Sequence, residues 1–199
     1  MPDSTARSRT GRGAETRRRI REAAMALFRE RRPADVTVGE IASSAGVYPN
    51  QITHHFGSKD ALYVDAAFAL LLRDTERLQA AGRRASTPDA LRRALARTAL
   101  SMPSTTAVVG ALALARGNES VQPVLQNALA VLFRQSDRYL SKELAKHGWT
   151  TDQGVERATK TFWSAVFGAV LISQAGYPGG PSDIDVAATL VIRGEDPAV

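Results

Sequence analysis

The sequence predicts an all-α protein of about nine helices, and three observations support this fold class. Apolar residues recur every three or four positions through most of the chain, which is the spacing of one helix face. The breaks between these segments hold residues that start or stop helices, such as Thr37, Gly46 and Pro49. The longest nearly continuous apolar run, residues 162–172, is expected to form a helix buried in the core.

The composition excludes several classes of protein. A chain of 199 residues with 44% hydrophobic content can form one large or two small domains with a real core. It contains no cysteine, which excludes disulfides, thiolate metal sites and cysteine nucleophiles and suits a reducing cytoplasm. The run at 162–172 is shorter than the roughly 20 residues of a membrane helix, and no apolar signal segment follows the basic N-terminus. We therefore expect a cytoplasmic protein with no membrane partner.

Positive charge is concentrated at the N-terminus. The formal net charge is +6, and residues 1–32 hold ten arginines against four acidic residues, so the rest of the chain is balanced. A local basic cluster favours a polyanionic partner, most often nucleic acid. We expect residues 1–14 to form a flexible basic arm, in which Arg9 and Arg12 enter a DNA minor groove or attract DNA non-specifically. A solvated tail without a partner is the other alternative.

Capping signals place the first helices. An amphipathic helix is predicted from Glu15 to the residues before Pro33. Thr37, followed by Glu40 at the spacing of a capping box, begins a second helix that ends near residue 45. Pro49 suits the first turn of a third helix. A fourth helix is predicted over about 59–81, with a serine before it as its cap.

The second and third helices have the spacing of a helix-turn-helix. Gly46 allows the sharp turn between them, and Ala42 is small enough for the two helices to cross. Ile41, Ile52 and Phe56 are expected on the inner faces. In such a motif the second helix enters the major groove of DNA. An ordinary helical hairpin inside a core is the alternative, which the basic first helix disfavours.

Residues 15–68 resemble the DNA-binding domain of the tetracycline-repressor (TetR) family of bacterial transcriptional regulators. The residues at the family's pattern positions fall in one register without gaps, and they are Ala24, Phe28, Thr37, Ile41, Ala42, Ala45, Gly46, Val47, Phe56, Lys59 and Leu62. The resemblance implies a DNA-binding domain of three helices over residues 15–60 and a helical effector-binding and dimerisation domain over residues 61–199. It also implies a homodimer that represses at a double-stranded DNA operator and is released by a small molecule.

The same resemblance assigns DNA contacts to the third helix and its neighbours. Beyond Arg9 and Arg12, the predicted contacts are Thr37, Tyr48, Pro49, Asn50, Gln51, Thr53, His54, His55 and Lys59. Asn50 and Gln51 carry amides that can pair with adenine. Lys59 matches the family's phosphate-binding lysine, and Thr37 is placed to offer its hydroxyl to another phosphate.

Three positions in this region are of particular interest. The family usually has a small capping residue where this chain has Tyr48, which cannot cap, and often a tyrosine where it has Thr53. We hypothesise that Tyr48 contacts the DNA backbone in place of the missing tyrosine. His55 is predicted to be a stronger DNA contact than His54, and neighbouring histidines about 100° apart on a helix do not readily chelate one metal ion.

The second domain is predicted from its own caps and breaks. Helices are expected over about 87–102, 105–116, 120–147, 151–175 and 183–193. In the family, the last two long helices pack against their mates in a second subunit, which would cover the outer face of the apolar run. The predicted interface residues are Ala165, Gly168, Ala169, Ile172, Ile184, Ala187, Ala188 and Val191.

The predicted effector site consists of residues that interrupt the apolar faces of this domain. They are Thr98, Met102, Gln126, Phe133, Ser136, Trp163 and Phe167. A few polar groups within an aromatic and apolar wall are typical of small-molecule pockets, although aromatics at helical spacing are also ordinary core residues. No ring of charged residues interrupts these faces, which favours a neutral or hydrophobic effector.

No pattern in the sequence indicates an enzyme. There is no His-x-x-x-His spacing, glycine-rich phosphate loop or nucleophile elbow. We therefore expect no catalysis, no metal and no cofactor. Two alternatives remain for a DNA-binding chain of this fold: an architectural or nucleoid-type protein without an effector, and a transcriptional activator.

Overall fold

The computed structural model describes the backbone of residues 4–194 and the side chains of residues 11–194. The described residues form eight α-helices and no sheet, which confirms the all-α class. The helices are α1 (Ser4–Glu30), α2 (Val38–Ala45), α3 (Pro49–Phe56), α4 (Lys59–Gly82), α5 (Pro88–Ser101), α6 (Pro103–Arg116), α7 (Gln122–His147) and α8 (Val155–Gln174). Short 3₁₀ turns lie at Pro33–Asp35, Glu119–Val121, Pro181–Asp183 and Val186–Thr189.

Helix α1 begins earlier than the sequence suggests. The segment predicted as a flexible arm is helical from Ser4 onward. No proline interrupts residues 3–32, and the Thr16 hydroxyl donates to the Arg12 carbonyl at 2.9 Å within the helix. Two glycines in this stretch cost about 1 kcal/mol each relative to alanine, which does not stop the helix. Arg9 belongs to this helix, but its side chain lies outside the described residues.

The other helices of the first domain begin as their capping signals predict. The Thr37 hydroxyl accepts a hydrogen bond from the Glu40 amide at 3.2 Å, while the Glu40 carboxylate accepts from the Thr37 amide at 2.7 Å. This is the predicted capping box of α2. Ser58 caps α4 by accepting from the Ala61 amide at 3.0 Å. Tyr48 precedes α3 without a side-chain cap, as its identity predicts.

Helix α4 connects the two halves of the molecule. It packs against α1 and α3 near its start and against α5, α6 and α7 along the rest of its length. Leu62, Phe68 and Leu71 on this helix are almost completely buried. Helix α4 is therefore packed into both domains.

The predicted last helix over 183–193 is wrong. The chain there forms two 3₁₀ turns and then an extended segment, in which Arg193 pairs with Thr150 as an isolated antiparallel bridge. Leu190 and Ile192 are buried whereas their neighbours are more exposed, which is the period-two pattern of extended chain. The described residues thus contain eight helices, close to the predicted nine, and α6, α7 and α8 begin a few residues away from their predicted starts.

No single helix in the described chain is long and apolar enough to span a membrane. The helices α5 and α6 reach that length and apolar character only when taken together, and they are sharply bent at their junction. Within the described residues, no three histidine, aspartate or glutamate side chains come together as metal ligands.

Candidate nucleic-acid interface and interior cavity

The turn between α2 and α3 depends on Gly46. Its φ of +62° lies in the left-handed region that favours glycine. A Cβ atom at this position would also lie 2.6 Å from Nη2 of Arg19. That guanidinium donates to the carbonyls of Ala45 at 2.5 Å and Gly46 at 2.9 Å, and so fastens α1 to the end of α2. Ile52 and Phe56 are buried as predicted, which fixes the orientation of α3 on this frame.

The outer face of α3 is polar and exposed. Tyr48 is 80% exposed, more than any other large hydrophobic residue among those the structure describes. Five other predicted contacts surround it on α3: Pro49, Asn50, Thr53 and His54 are exposed and Gln51 is half-buried. A short helix with a buried inner face and an exposed row of amide, hydroxyl and imidazole groups has the chemistry to contact base edges and phosphates.

The two neighbouring histidines of α3 differ in their exposure. His54 is exposed, whereas His55 is half-buried and lies close to Gly13 of α1. Burial lowers the pKa of His55 from its ordinary value, and the charges of His54 and Arg17 lower it further. The neutral form of His55 is therefore favoured. Its backbone carbonyl accepts a hydrogen bond from Arg17 at 2.6 Å, so this residue contributes to packing between α3 and α1.

Two predicted phosphate contacts have partners within the chain. The Lys59 ammonium donates to the carbonyls of Pro33 at 2.8 Å and Val36 at 2.9 Å, and thereby holds the connection between α1 and α2 against α4. An ammonium has three donors, so one remains for a phosphate. The exposed Thr37 hydroxyl donates to the Glu40 carboxylate at 2.7 Å as part of the capping box. Arg12 is exposed on α1.

The second domain contains a small cavity between α4, α5, α7 and α8. Its volume is about 50 Å³, which is well below the roughly 300 Å³ of a pocket for a drug-sized ligand. Four leucines with Phe162 and Trp163 form the apolar part of the wall. The polar lining residues are Thr75, Gln79, Gln135, Ser136, Tyr139 and Thr159, and no charged side chain lines the cavity.

Only Ser136 and Trp163 of the seven predicted effector-site residues line this cavity. They are hydrogen-bonded to each other, since the Trp163 indole donates to the Ser136 hydroxyl at 2.8 Å. Sequence reasoning missed Tyr139, although it follows Ser136 by three positions on the same face of α7 and could have been found from that spacing.

The other five predicted residues lie elsewhere. Gln126 is exposed, the Thr98 hydroxyl bonds to the Ala94 carbonyl of its own helix, and Phe133 lies beside Lys160 on the surface of α7 and α8. Met102 is buried at the bend between α5 and α6. Phe167 stacks on Trp163 with ring centroids 5.5 Å apart but faces a separate groove between α6 and α8.

The predicted dimer surface is partly exposed on α8. Ile172 is 45% exposed, and the unpredicted neighbour Leu171 is 52% exposed, with Ala165 and Gly168 half-buried along the same helix. Ala169, which is also predicted to lie on this surface, is instead buried against the core of its own chain. The remaining predicted residues lie outside the α-helices, in the 3₁₀ turns and extended segment that follow α8: Ile184, Ala187, Ala188 and Val191.

A helix-turn-helix unit with an exposed polar third helix, joined by one long helix to a larger helical domain, is the architecture of a DNA-binding transcriptional regulator. Residues 20–66 match the profile of the family described as "Bacterial regulatory proteins, tetR family". Residues 88–191 match the profile described as "Bacterial transcriptional repressor C-terminal". The chain belongs to the TetR family of bacterial transcriptional regulators, as the resemblance of residues 15–68 predicts.

Individual relatives agree with this assignment. The chain is 44% identical over 73 residues to the HTH-type transcriptional regulator BetI of Brucella canis, a match that spans 36% of each chain. A solved regulator from Rhodococcus sp. RHA1 is 29% identical, with 88% of this chain and 93% of that chain covered and a TM-score of 0.70. A regulator from Saccharomonospora viridis in complex with choline shares the fold, with 20% identity, coverage of 89% and 94%, and a TM-score of 0.57.

Proposed function

We propose that this protein is a homodimeric repressor that binds a palindromic DNA operator through α3 and leaves it when a small molecule enters the second domain. The observation that carries the proposal is the exposed polar face of α3, which is held rigidly by buried Ile52 and Phe56. Chromosomal DNA as the partner implies action in the cytoplasm.

The DNA contacts follow from exposure and chemistry. Asn50 and Gln51 carry amides suited to adenine, and each good bidentate pair discriminates against a wrong base by about 1–3 kcal/mol. Tyr48, Thr53 and His54 are exposed beside them and suit backbone contacts. Thr37, Pro49, His55, Lys59, Arg9 and Arg12 remain proposed contacts at the edge of this surface.

The proposed dimer forms through the exposed apolar part of α8. Leu171 and Ile172 are large apolar side chains in contact with solvent, and the smaller Ala165 and Gly168 would let a second α8 approach closely. A two-fold dimer places its two recognition helices roughly 34 Å apart, one turn of DNA, and so matches a palindrome. Leu171→Asp is expected to yield monomers by analytical ultracentrifugation, whereas Ser141→Asp, at an exposed position of α7, should remain dimeric.

The proposed effector site is the cavity between α4, α5, α7 and α8. Its walls include α4, which also packs against α1 and α3, so a ligand that enlarges the cavity shifts the helix that supports the DNA-binding domain. The uncharged lining favours a neutral or hydrophobic effector. One relative of the same fold is bound to choline, which makes a small organic cation the alternative to test.

Selection of binding sites from random duplex DNA, followed by footprinting, tests the proposal. A regulator of this kind should enrich one or two short palindromes, and the Asn50→Ala/Gln51→Ala double variant should lose that enrichment. Protection of many unrelated sites would identify an architectural protein instead. Transcription in vitro from a promoter that carries the selected site then shows the direction of regulation. A smaller amount of transcript in the presence of the protein supports a repressor, and a larger amount identifies an activator.

A further inference from the structure

The phenol of Tyr139 lies between the cavity and the last turn of α4. It lines the cavity from α7, and its hydroxyl is buried without a hydrogen-bond partner. The same hydroxyl rests directly against Gly82, where a Cβ atom would overlap it. Burial raises the pKa of Tyr139 to about 12, and the charge of Glu143 adds to this effect, so the group keeps its proton at neutral pH. The molecule therefore holds an unused hydrogen-bond donor at the edge of the cavity.

The other hydroxyl groups of the cavity wall are already engaged. Ser136 donates to the Leu132 carbonyl at 2.9 Å and accepts from Trp163. Thr75 donates to the Leu72 carbonyl at 2.6 Å, and Thr159 donates to Asp137. Among the hydroxyls of the described cavity wall, Tyr139 is the one whose donor has no acceptor. A buried donor without an acceptor costs about 1–3 kcal/mol, which a ligand with an acceptor would recover.

The remaining wall limits the ligand further. Phe162 and Trp163 present aromatic surface, and no carboxylate lines the cavity to compensate a buried cation. The present volume of about 50 Å³ is smaller than the roughly 150 Å³ that accepts a benzene ring. Space for a ring must come from a side chain that moves, and Tyr139 is the aromatic side chain that separates the cavity from Gly82 of α4.

We infer that the effector is a neutral, flat, largely apolar molecule with one hydrogen-bond acceptor, which binds the Tyr139 hydroxyl and draws the phenol away from Gly82. This inference rests on the proposed function, because it names the ligand class of the proposed effector site. It makes Tyr139 both the group that selects the ligand and the contact through which the ligand changes the packing of α4.

A pair of nearly isosteric probes tests the inference. Acetophenone carries a carbonyl acceptor, whereas ethylbenzene has the same ring without one. Titration calorimetry on the full wild-type chain should give a dissociation constant for acetophenone roughly three- to tenfold lower than for ethylbenzene, the range of one hydrogen bond. Tyr139→Phe should bind both probes equally, whereas Tyr177→Phe, on an exposed loop, should keep the wild-type preference.

Three results would overturn the inference: no binding of acetophenone at millimolar concentration, no preference between the probes in the wild-type chain, or an unchanged preference in Tyr139→Phe. The comparison of the two probes on the wild-type chain tests the inference even if Tyr139→Phe folds poorly. Tighter binding of choline than of acetophenone would also overturn it, in favour of a cation site. Each of these results leaves the proposed function intact, since the operator selection is carried out without any ligand.

Discussion

The Arg17 guanidinium donates to the Asp65 carboxylate at 3.2 Å and thereby joins α1 to α4. Arg21 on the next turn of α1 binds the same carboxylate, which is only 14% exposed. Arg17 also donates to the His55 carbonyl and lies 4.4 Å from the ring centroid of Phe56. Asp65 of α4 thus holds two arginines of α1, and one of them, Arg17, also contacts the third helix.

Asp65→Asn should lower the free energy of unfolding by about 1–3 kcal/mol, because it leaves two partly buried guanidinium groups without their charged partner. Urea denaturation of the two proteins measures the difference. Glu22→Gln is the matched control, since it removes the exposed Glu22–Arg73 pair, which should contribute no more than about 1 kcal/mol. Equal losses in the two variants would contradict the special position of Asp65.

Gly46→Ala should destabilise the protein by about 1–2 kcal/mol, because an alanine there must adopt the left-handed conformation and also displace Arg19. Gly39→Ala, inside the preceding helix α2, has no positive φ and no close neighbour, so it should be neutral or stabilising by up to about 1 kcal/mol. Thermal unfolding of both variants tests the difference, and a neutral Gly46→Ala would show that the turn has another conformation.

His55 should titrate below the ordinary histidine pKa of about 6.5. Because burial, then His54, then Arg17 lower its pKa in the folded chain, the unfolded chain takes up a proton first as the pH falls. The contribution of neutral His55 to the free energy of unfolding is therefore fully present above about pH 6.5. It is lost as the pH falls from there through the pKa that His55 has in the folded chain. NMR titration of the imidazole, assigned with His55→Gln, measures the midpoint. A midpoint at or above 6.5 would restore His55 as a charged contact for DNA.

Tyr48→Ser should lower operator affinity about three- to tenfold, in line with the loss of one or two backbone contacts. The same change should raise stability by about 1 kcal/mol, because serine can cap α3 and tyrosine does not. Opposite signs for affinity and stability separate a DNA contact from a folding effect. Tyr177→Ser, an exposed control on the second domain, should leave affinity unchanged. An affinity for Tyr48→Ser at or above that of the wild type would refute the contact.

The first domain could be predicted almost completely because its signals are local. Thr37 with Glu40, Gly46, Pro49 and Ser58 each mark a helix boundary within a few residues of sequence, and the structure places each boundary there. Helix α1 differed only at its start, since nothing in the arginine-rich segment ends a helix.

The second domain could be predicted only in part because its features depend on distant residues. The cavity forms where four helices meet, so Ser136 and Trp163 were found by type whereas Tyr139 was not. The tail after α8 has apolar residues that suit a helix, but pairing of Arg193 with Thr150, more than 40 residues earlier, holds it extended. The position of Ala169 on the inward side of α8 likewise depends on which helices cover it.

The most direct test of the account is the affinity of wild type and Asn50→Ala for the selected operator and for a scrambled duplex of the same composition, by fluorescence anisotropy at fixed salt. If α3 reads base edges, Asn50→Ala should weaken operator binding by about 1–3 kcal/mol and leave binding to the scrambled duplex unchanged. Equal losses on both duplexes, or no loss on either, would contradict sequence recognition by α3.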